Sequence, residues 1–248
     1  MIVLLPPSET KRHGGDGPAL DLDSLSSPAL SDARRDLVDD LVKLAADPPA
    51  CRTALGLSKS QDAEIERNAA LCTSPTLPAI GRYTGVLYDA LDVETLRGAA
   101  ATRAQHRLAV VSALFGLIRA DDRIPAYRLS AGSKLPGRPT LAAFWKPTLE
   151  PALAEIADQE LVVDLRSGSY AALGKVPGAV TVDVVAEHSD GRRSTVSHFN
   201  KAHKGRLARA LAGSRAEPDD AAAVAAVARR AGMRVERRDS HLTVVVPA

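Results

Sequence analysis

RLAVVSALFGLIRADDRIPAYRL, Arg107 to Leu129, begins as a short apolar run and ends in a crowd of charges around one proline. Leu108 to Val111 have the length and branching of a buried strand. Ser112 then follows, and Arg119, Asp121, Asp122, Arg123, Tyr127 and Arg128 gather near Pro125. Two other segments repeat this order. Ile2 to Leu5 run into PPSETK, and Leu161 to Leu165 run into RSGSY. In an open α/β sheet, ligands bind beyond the carboxyl ends of parallel strands, where such loops converge. If the three strands are parallel neighbours, Ser8, Lys11, Ser112, Arg119, Asp122, Ser167 and Tyr170 line one cleft.

The rest of the chain fits that class. Ser31 to Ala46 have helical spacing in Leu37, Leu41 and Leu44, with Ser31 as the expected N-cap, and GLSKSQDAEIERNAALCTSP gives a further helix ended by Pro75. AVTVDVVAEHSDGRRSTVSHF reads as a hairpin turning at Asp190-Gly191. A helix is expected from about Asn200 to Leu211, and another in EPDDAAAVAAVARRAG with Gly232 at its end. Arg234 to Arg238 and Leu242 to Val246 form a second expected hairpin. Strands alternate with helices, which makes the fold α/β or mixed α+β, a mixed sheet flanked by helices. One domain over residues 1–248 is expected, with a helical subregion at about 30–100.

Composition excludes several function classes. The 248 residues are 45% hydrophobic and 25% charged, ordinary for a globular protein, but only 3% aromatic, so Ala, Val and Leu must fill most of the core. A formal charge of +2 does not by itself announce a nucleic-acid binder. The two cysteines, Cys51 and Cys72, form no CxxC and suggest neither a disulfide framework nor a zinc site. The apolar start, cut by Pro6 and Pro7, is too brief for a signal peptide or a membrane span, so a cytoplasmic protein is expected. His198 and His203 are five apart, a spacing that places no two metal ligands on one helical face, and no G-x-G-x-x-G or Walker loop occurs. No metal and no cofactor are expected. Ser8 to Lys11 fit S-x-x-K, yet the partner motifs of that chemistry are missing.

The charged stretches admit two readings each. Arg119 and Asp122 are three apart and can pair, either to pin a loop or to hold one arginine so that another grips an anion in bidentate fashion. From Arg192 to Ala216 there are seven Lys or Arg residues, among them Lys201, Lys204 and Arg209, and no acid. This is either a solvated basic face or a surface for phosphates. Gly81 and Gly85 offer a turn before a helix, without the tight spacing of a confident helix-hairpin-helix.

Taken together these segments resemble a known family. SALFGLIRADDRIPAYRL is similar to the SGLYGxLRPxDxIxPYRLEM pattern of the YaaA peroxide-stress proteins. LLPPSETK, GVLYDALDVETL, AFWKP, VVDLRSGSY and VSHFNKAHKGRLAR resemble further family segments in the same order. The matched positions are Lys11, Tyr88, Ser112, Gly116, Arg119, Asp122, Tyr127, Arg128, Trp145, Ser167, Tyr170, Lys201, Lys204 and Gly205. Ala120, Ser130, Ala202 and Gly168-Ser169 depart from the pattern. The resemblance implies a compact mixed α/β fold with a basic cleft and a helix-hairpin-helix element. It also implies a cytosolic role limiting oxidative damage under hydrogen peroxide, associated with lowered free iron, the helix-hairpin-helix element being linked to DNA binding. Two functions stay open. One is a monomeric binder of DNA without sequence readout, using Lys11, Ser112, Arg119, Asp122, Tyr127, Arg128, Ser167, Tyr170, Lys201, Lys204 and Arg209. The other is an enzyme for a small anionic, nucleotide- or nucleobase-like substrate, with Lys11 or Tyr170 as acid or base. A binding protein rather than an enzyme is the expectation.

Overall fold

The computed structural model describes residues 1–195 and 199–248. Its centre is a strand, β1 (Ile2–Leu5), buried along its whole length. Parallel neighbours lie on both sides, β3 (Leu108–Ser112) on one and β6 (Val162–Asp164) on the other. The three apolar runs read from the sequence are therefore adjacent and parallel. Short runs without alternation can form strands only where both faces are covered, which is the setting of a parallel sheet.

The sheet extends from this core in both directions. β4 (Gly116–Arg119) folds back antiparallel on β3. On the other side β7 (Val180–Glu187) pairs parallel with β6 and with β10 (His241–Pro247), and β9 (Arg234–Arg238) closes the edge antiparallel to β10. The order is β4-β3-β1-β6-β7-β10-β9, with β8 (Arg193–Thr195) on β7. A separate two-stranded ladder joins β2 (Leu77–Pro78) to β5 (Arg123–Ile124). Both expected hairpins form. The first holds through Thr195, and its last residues, His198 included, lie outside the described residues.

The helices are α1 (Ser31–Ala45), α2 (Pro48–Leu55), α3 (Asp62–Ala69), α4 (Ala79–Arg82), α5 (Val86–Leu91), α6 (Ala99–Arg107), α7 (Leu141–Gln159), α8 (Gly168–Ala171), α9 (Phe199–Gly213) and α10 (Ala221–Arg230). Helices α1 to α6, with the short β2 among them, carry the chain from β1 to β3. Ser31 does not cap α1. A 3-10 turn, Pro28–Leu30, precedes it, so Ser31 is already helical and Leu30 takes the cap position without a side-chain bond. The helix read across 56–75 shortens to α3, because the turn around Lys59–Gln61 interrupts it.

Three buried arginines bind the loops to this frame. Arg34 of α1 donates to the carbonyls of Ser26, Ser27, Phe115 and Leu117. Arg82 of α4 reaches those of Arg12, Gly14, Pro75 and Ile124. Arg107 of α6 collects Leu211, Ser214 and Ala216 and pairs with Glu217 at 2.6 Å. A forked cation with five donors can satisfy several buried carbonyls at once. Burial lowers the Arg34 and Arg82 guanidinium pKa values to about 10, and both keep their charge at neutral pH. Among the described residues no helix is long and apolar enough to cross a membrane.

Candidate functional site

The carboxyl ends of β1, β3 and β6 open on the same edge of the sheet. After β1, Pro6 accepts a hydrogen bond from the Tyr88 hydroxyl at 2.9 Å, which fixes the start of the loop. Residues 10–12 of the loop then run antiparallel to 82–84, with Lys11 bridged to Tyr83. Gly85, at φ +96°, begins α5 there, and a Cβ would come within 3.3 Å of the Ser8 and Thr10 hydroxyls. Lys11 is thereby folded back over aromatic faces. Its Nζ lies 4.1 Å from the centre of the Tyr127 ring and 5.5 Å from that of Tyr83. It donates to the Ser8 carbonyl at 2.9 Å and the Glu9 carbonyl at 3.4 Å.

No ion pair to a carboxylate is made by Lys11 among the described residues. Burial, with the Arg128 guanidinium beside it, pulls the amine pKa down from the usual 10.5 to about 7, against the opposing pull of Glu64 and Glu9. Ring faces attract an ammonium, but the loss of hydration is the larger effect here.

β3 contributes a chain of hydroxyls. Ser112 lies 2.7 Å from the Tyr127 hydroxyl, which lies 2.9 Å from that of Tyr83. Burial raises the pKa of both tyrosines, so they are neutral hydrogen-bonding groups. Arg128, the next residue, pairs with Glu9 at 2.9 Å. Asn68 of α3 grips the Arg128 backbone at both ends, donating to its carbonyl at 2.9 Å and accepting from its N–H at 2.8 Å.

β6 ends in a loop braced by Arg166, which is bidentate to Asp164 and also donates to the Tyr170 and Gly174 carbonyls. The loop presents Ser167, exposed, and Tyr170, half-buried. Burial raises the Tyr170 pKa to about 12, and its hydroxyl feels both Glu9 and Arg128. Lys204 of α9 donates to the Leu165 and Arg166 carbonyls, and burial lowers its pKa.

The edge therefore gathers Lys11, Ser112, Tyr127, Arg128, Ser167, Tyr170 and Lys204. Arg119 and Asp122 belong elsewhere. β4 runs back along β3, so Arg119 pairs with Ala109, three residues or about 10 Å from the Ser112 end. Its guanidinium donates to His106, and the Asp122 carboxylate accepts from the Arg119 backbone N–H and from Ser26 rather than holding the guanidinium. The pairing inferred from i, i+3 spacing assumes a helical turn, whereas the chain there is a strand end. Part of the basic run is paired or turned onto backbone carbonyls. Arg209 donates to carbonyls at the end of α5, Arg192 pairs with Asp190, and Arg193 with Glu187 and Glu236. Lys201 and Arg206 are exposed on α9. The glycines of the would-be helix-hairpin-helix take different places, Gly81 inside the four-residue α4 and Gly85 at the start of α5.

Tyr83, Glu9 and Asn68 escape the sequence reading because they reach the site through an antiparallel bridge and from separate helices. A cavity of about 1050 Å³ lies between α9, α10 and β10. It shares no lining residue with the Lys11 site, and its Glu187 and Arg234 are tied to each other.

Parallel strands whose loops bring an amine, hydroxyls and a guanidinium to one carboxyl edge define an α/β protein. A family model described as peroxide stress protein YaaA matches residues 1–236. UPF0246 proteins of Corynebacterium efficiens and Corynebacterium glutamicum are 52% and 49% identical, over 99% of this chain and the whole of each relative. One from Streptomyces coelicolor is 45% identical over 95% of the chain and 92% of its own length. The chain belongs to the YaaA peroxide-stress family.

Proposed function

We propose that this family member meets peroxide stress through chemistry on a small anionic, nucleotide- or nucleobase-like compound at the carboxyl edge, with Lys11 as acid or base. The observation that carries this reading is the placement of the Lys11 amine. It sits against the Tyr127 and Tyr83 faces, bonded among the described residues to its own loop carbonyls and neighboured by Arg128. A solvated surface lysine needs none of this. A group that must exchange a proton near pH 7 does. The aromatic faces suit a planar ring, and Arg128 suits a phosphate or carboxylate. A cytoplasmic setting, compatible with the free cysteines Cys51 and Cys72, belongs to the same proposal.

DNA binding is the second reading, favoured by the exposed Lys201 and Arg206 on one helix. On this reading the protein covers DNA without sequence preference and limits iron-driven damage to it. One comparison separates the two. Thermal stabilisation by mononucleotides, lost in Lys11→Met, is expected from the small-ligand reading. If mononucleotides do nothing while labelled duplex DNA binds in a salt-dependent manner that Lys201→Ala/Arg206→Ala weakens, the DNA reading replaces it.

A further inference from the structure

We propose that Lys11 captures carbonyl compounds, its amine adding to the aldehyde or ketone carbon of a small molecule whose anionic group takes the place of the Glu9 carboxylate on Arg128. This rests on the small-anion reading above and adds a covalent step to it. Counting hydrogens leads to it. An uncharged amine has two hydrogens and one lone pair. The Ser8 and Glu9 carbonyls take the two hydrogens, which leaves the lone pair unengaged among the described residues. A pKa near 7 keeps a large share of the amine in this nucleophilic form at neutral pH. The Tyr127 face, 4.1 Å away, would then stabilise the positive charge that returns when the finished imine takes up a proton from solvent.

The hydroxyl chain supplies the matching acid. Ser112 Oγ accepts from the backbone N–H groups of Leu114 and Phe115, both at 3.1 Å, so its own hydrogen goes to the Tyr127 hydroxyl. Tyr127 in turn donates to Tyr83. The Tyr83 hydrogen is the one left over, with no acceptor among the described residues, and Tyr83 is the bridge partner of Lys11. In the step, the Nζ lone pair forms the C–N bond while the Tyr83 hydroxyl passes its proton to the carbonyl oxygen and takes one from the nitrogen in the same motion, remaining neutral as its burial requires. The carbinolamine then expels its oxygen as water with the second amine hydrogen. Amine and carbonyl become imine and water, with no change of oxidation level.

Pyridoxal 5′-phosphate, an aldehyde carrying a phosphate, is the probe. The full chain is incubated with it near pH 7, reduced with borohydride and mapped by peptide mass spectrometry. The expected adduct is on Lys11 ahead of exposed lysines such as Lys59 and Lys201. Pyridoxal without the phosphate should label Lys11 roughly tenfold less, as should Arg128→Gln with the phosphate present. Tyr83→Phe, which keeps the ring, should slow imine formation on the order of tenfold or more. Labelling confined to exposed lysines, in a protein that mononucleotides still stabilise, would overturn the covalent step and leave the small-anion reading standing. Labelling of Lys11 that ignores the phosphate and Arg128 would overturn the assigned substrate class.

Discussion

Lys11 is held in a state that a lysine resists, and the fold must bear the difference. Its pKa is about 7 in the folded chain against 10.5 for an ordinary lysine. Between those values the unfolded chain binds more protons than the folded one, so stability rises as pH increases from about 7 to 10.5 and this contribution is flat below 7. Each pH unit in that window is worth at most about 1.4 kcal/mol. Lys11→Met removes the titration. In paired urea denaturation the wild type should gain on the variant as pH rises, and parallel pH dependences would refute the buried neutral amine. Lys11, Ser112, Ser167 and Tyr170 are legible in the sequence because each follows an apolar run that ends abruptly. Tyr83 is not, since nothing local marks a residue that enters the site across a bridge more than seventy positions away. Arg119 and Asp122 mislead for a related reason: spacing shows which residues are near in sequence, not which way a strand then carries them.

Helices α5 and α9 meet at a glycine. A Cβ on Gly205 would stand 2.1 Å from the Leu87 carbonyl and 2.9 Å from the Ala90 side chain, so the two helices touch where only hydrogen fits. Alanine is the better helix former by about 1 kcal/mol, yet overpacking of this kind commonly costs about 1–3 kcal/mol. Gly205→Ala should therefore lower the melting temperature, and an unchanged or raised value would mean that the helices can separate freely. The elements themselves were partly legible. Strands with unbroken apolar runs and hairpins with Asp-Gly turns could be read directly. In α7, Pro147 and Pro151 hide a helix whose Leu141, Trp145, Leu149 and Leu153 recur every fourth residue and are buried. Burial of that stripe, with the Trp145 indole N–H donating to the Ala113 carbonyl at 2.8 Å, outweighs two missing backbone donors.

At the scale of the molecule, function follows from strand order. β1 lies between two parallel partners, so loops that follow Leu5, Ser112 and Asp164 deliver their polar ends to one edge. Antiparallel β4 sends its charges to the other edge, where Asp122 and Arg119 join loops. The sequence announces the strands and their polar endings; the order that brings the endings together arises from contacts across the whole chain, which no single segment encodes. Several basic side chains are drawn inward to satisfy carbonyls, which is why charge counting alone suggests a wider cationic surface than the fold presents. The most direct measurement is an NMR titration of the Lys11 side chain in protein carrying carbon-13 at the lysine Cε position, assigned by comparison with Lys11→Met. The account predicts a midpoint of about 7. A Lys11 midpoint of about 10 or above would contradict it.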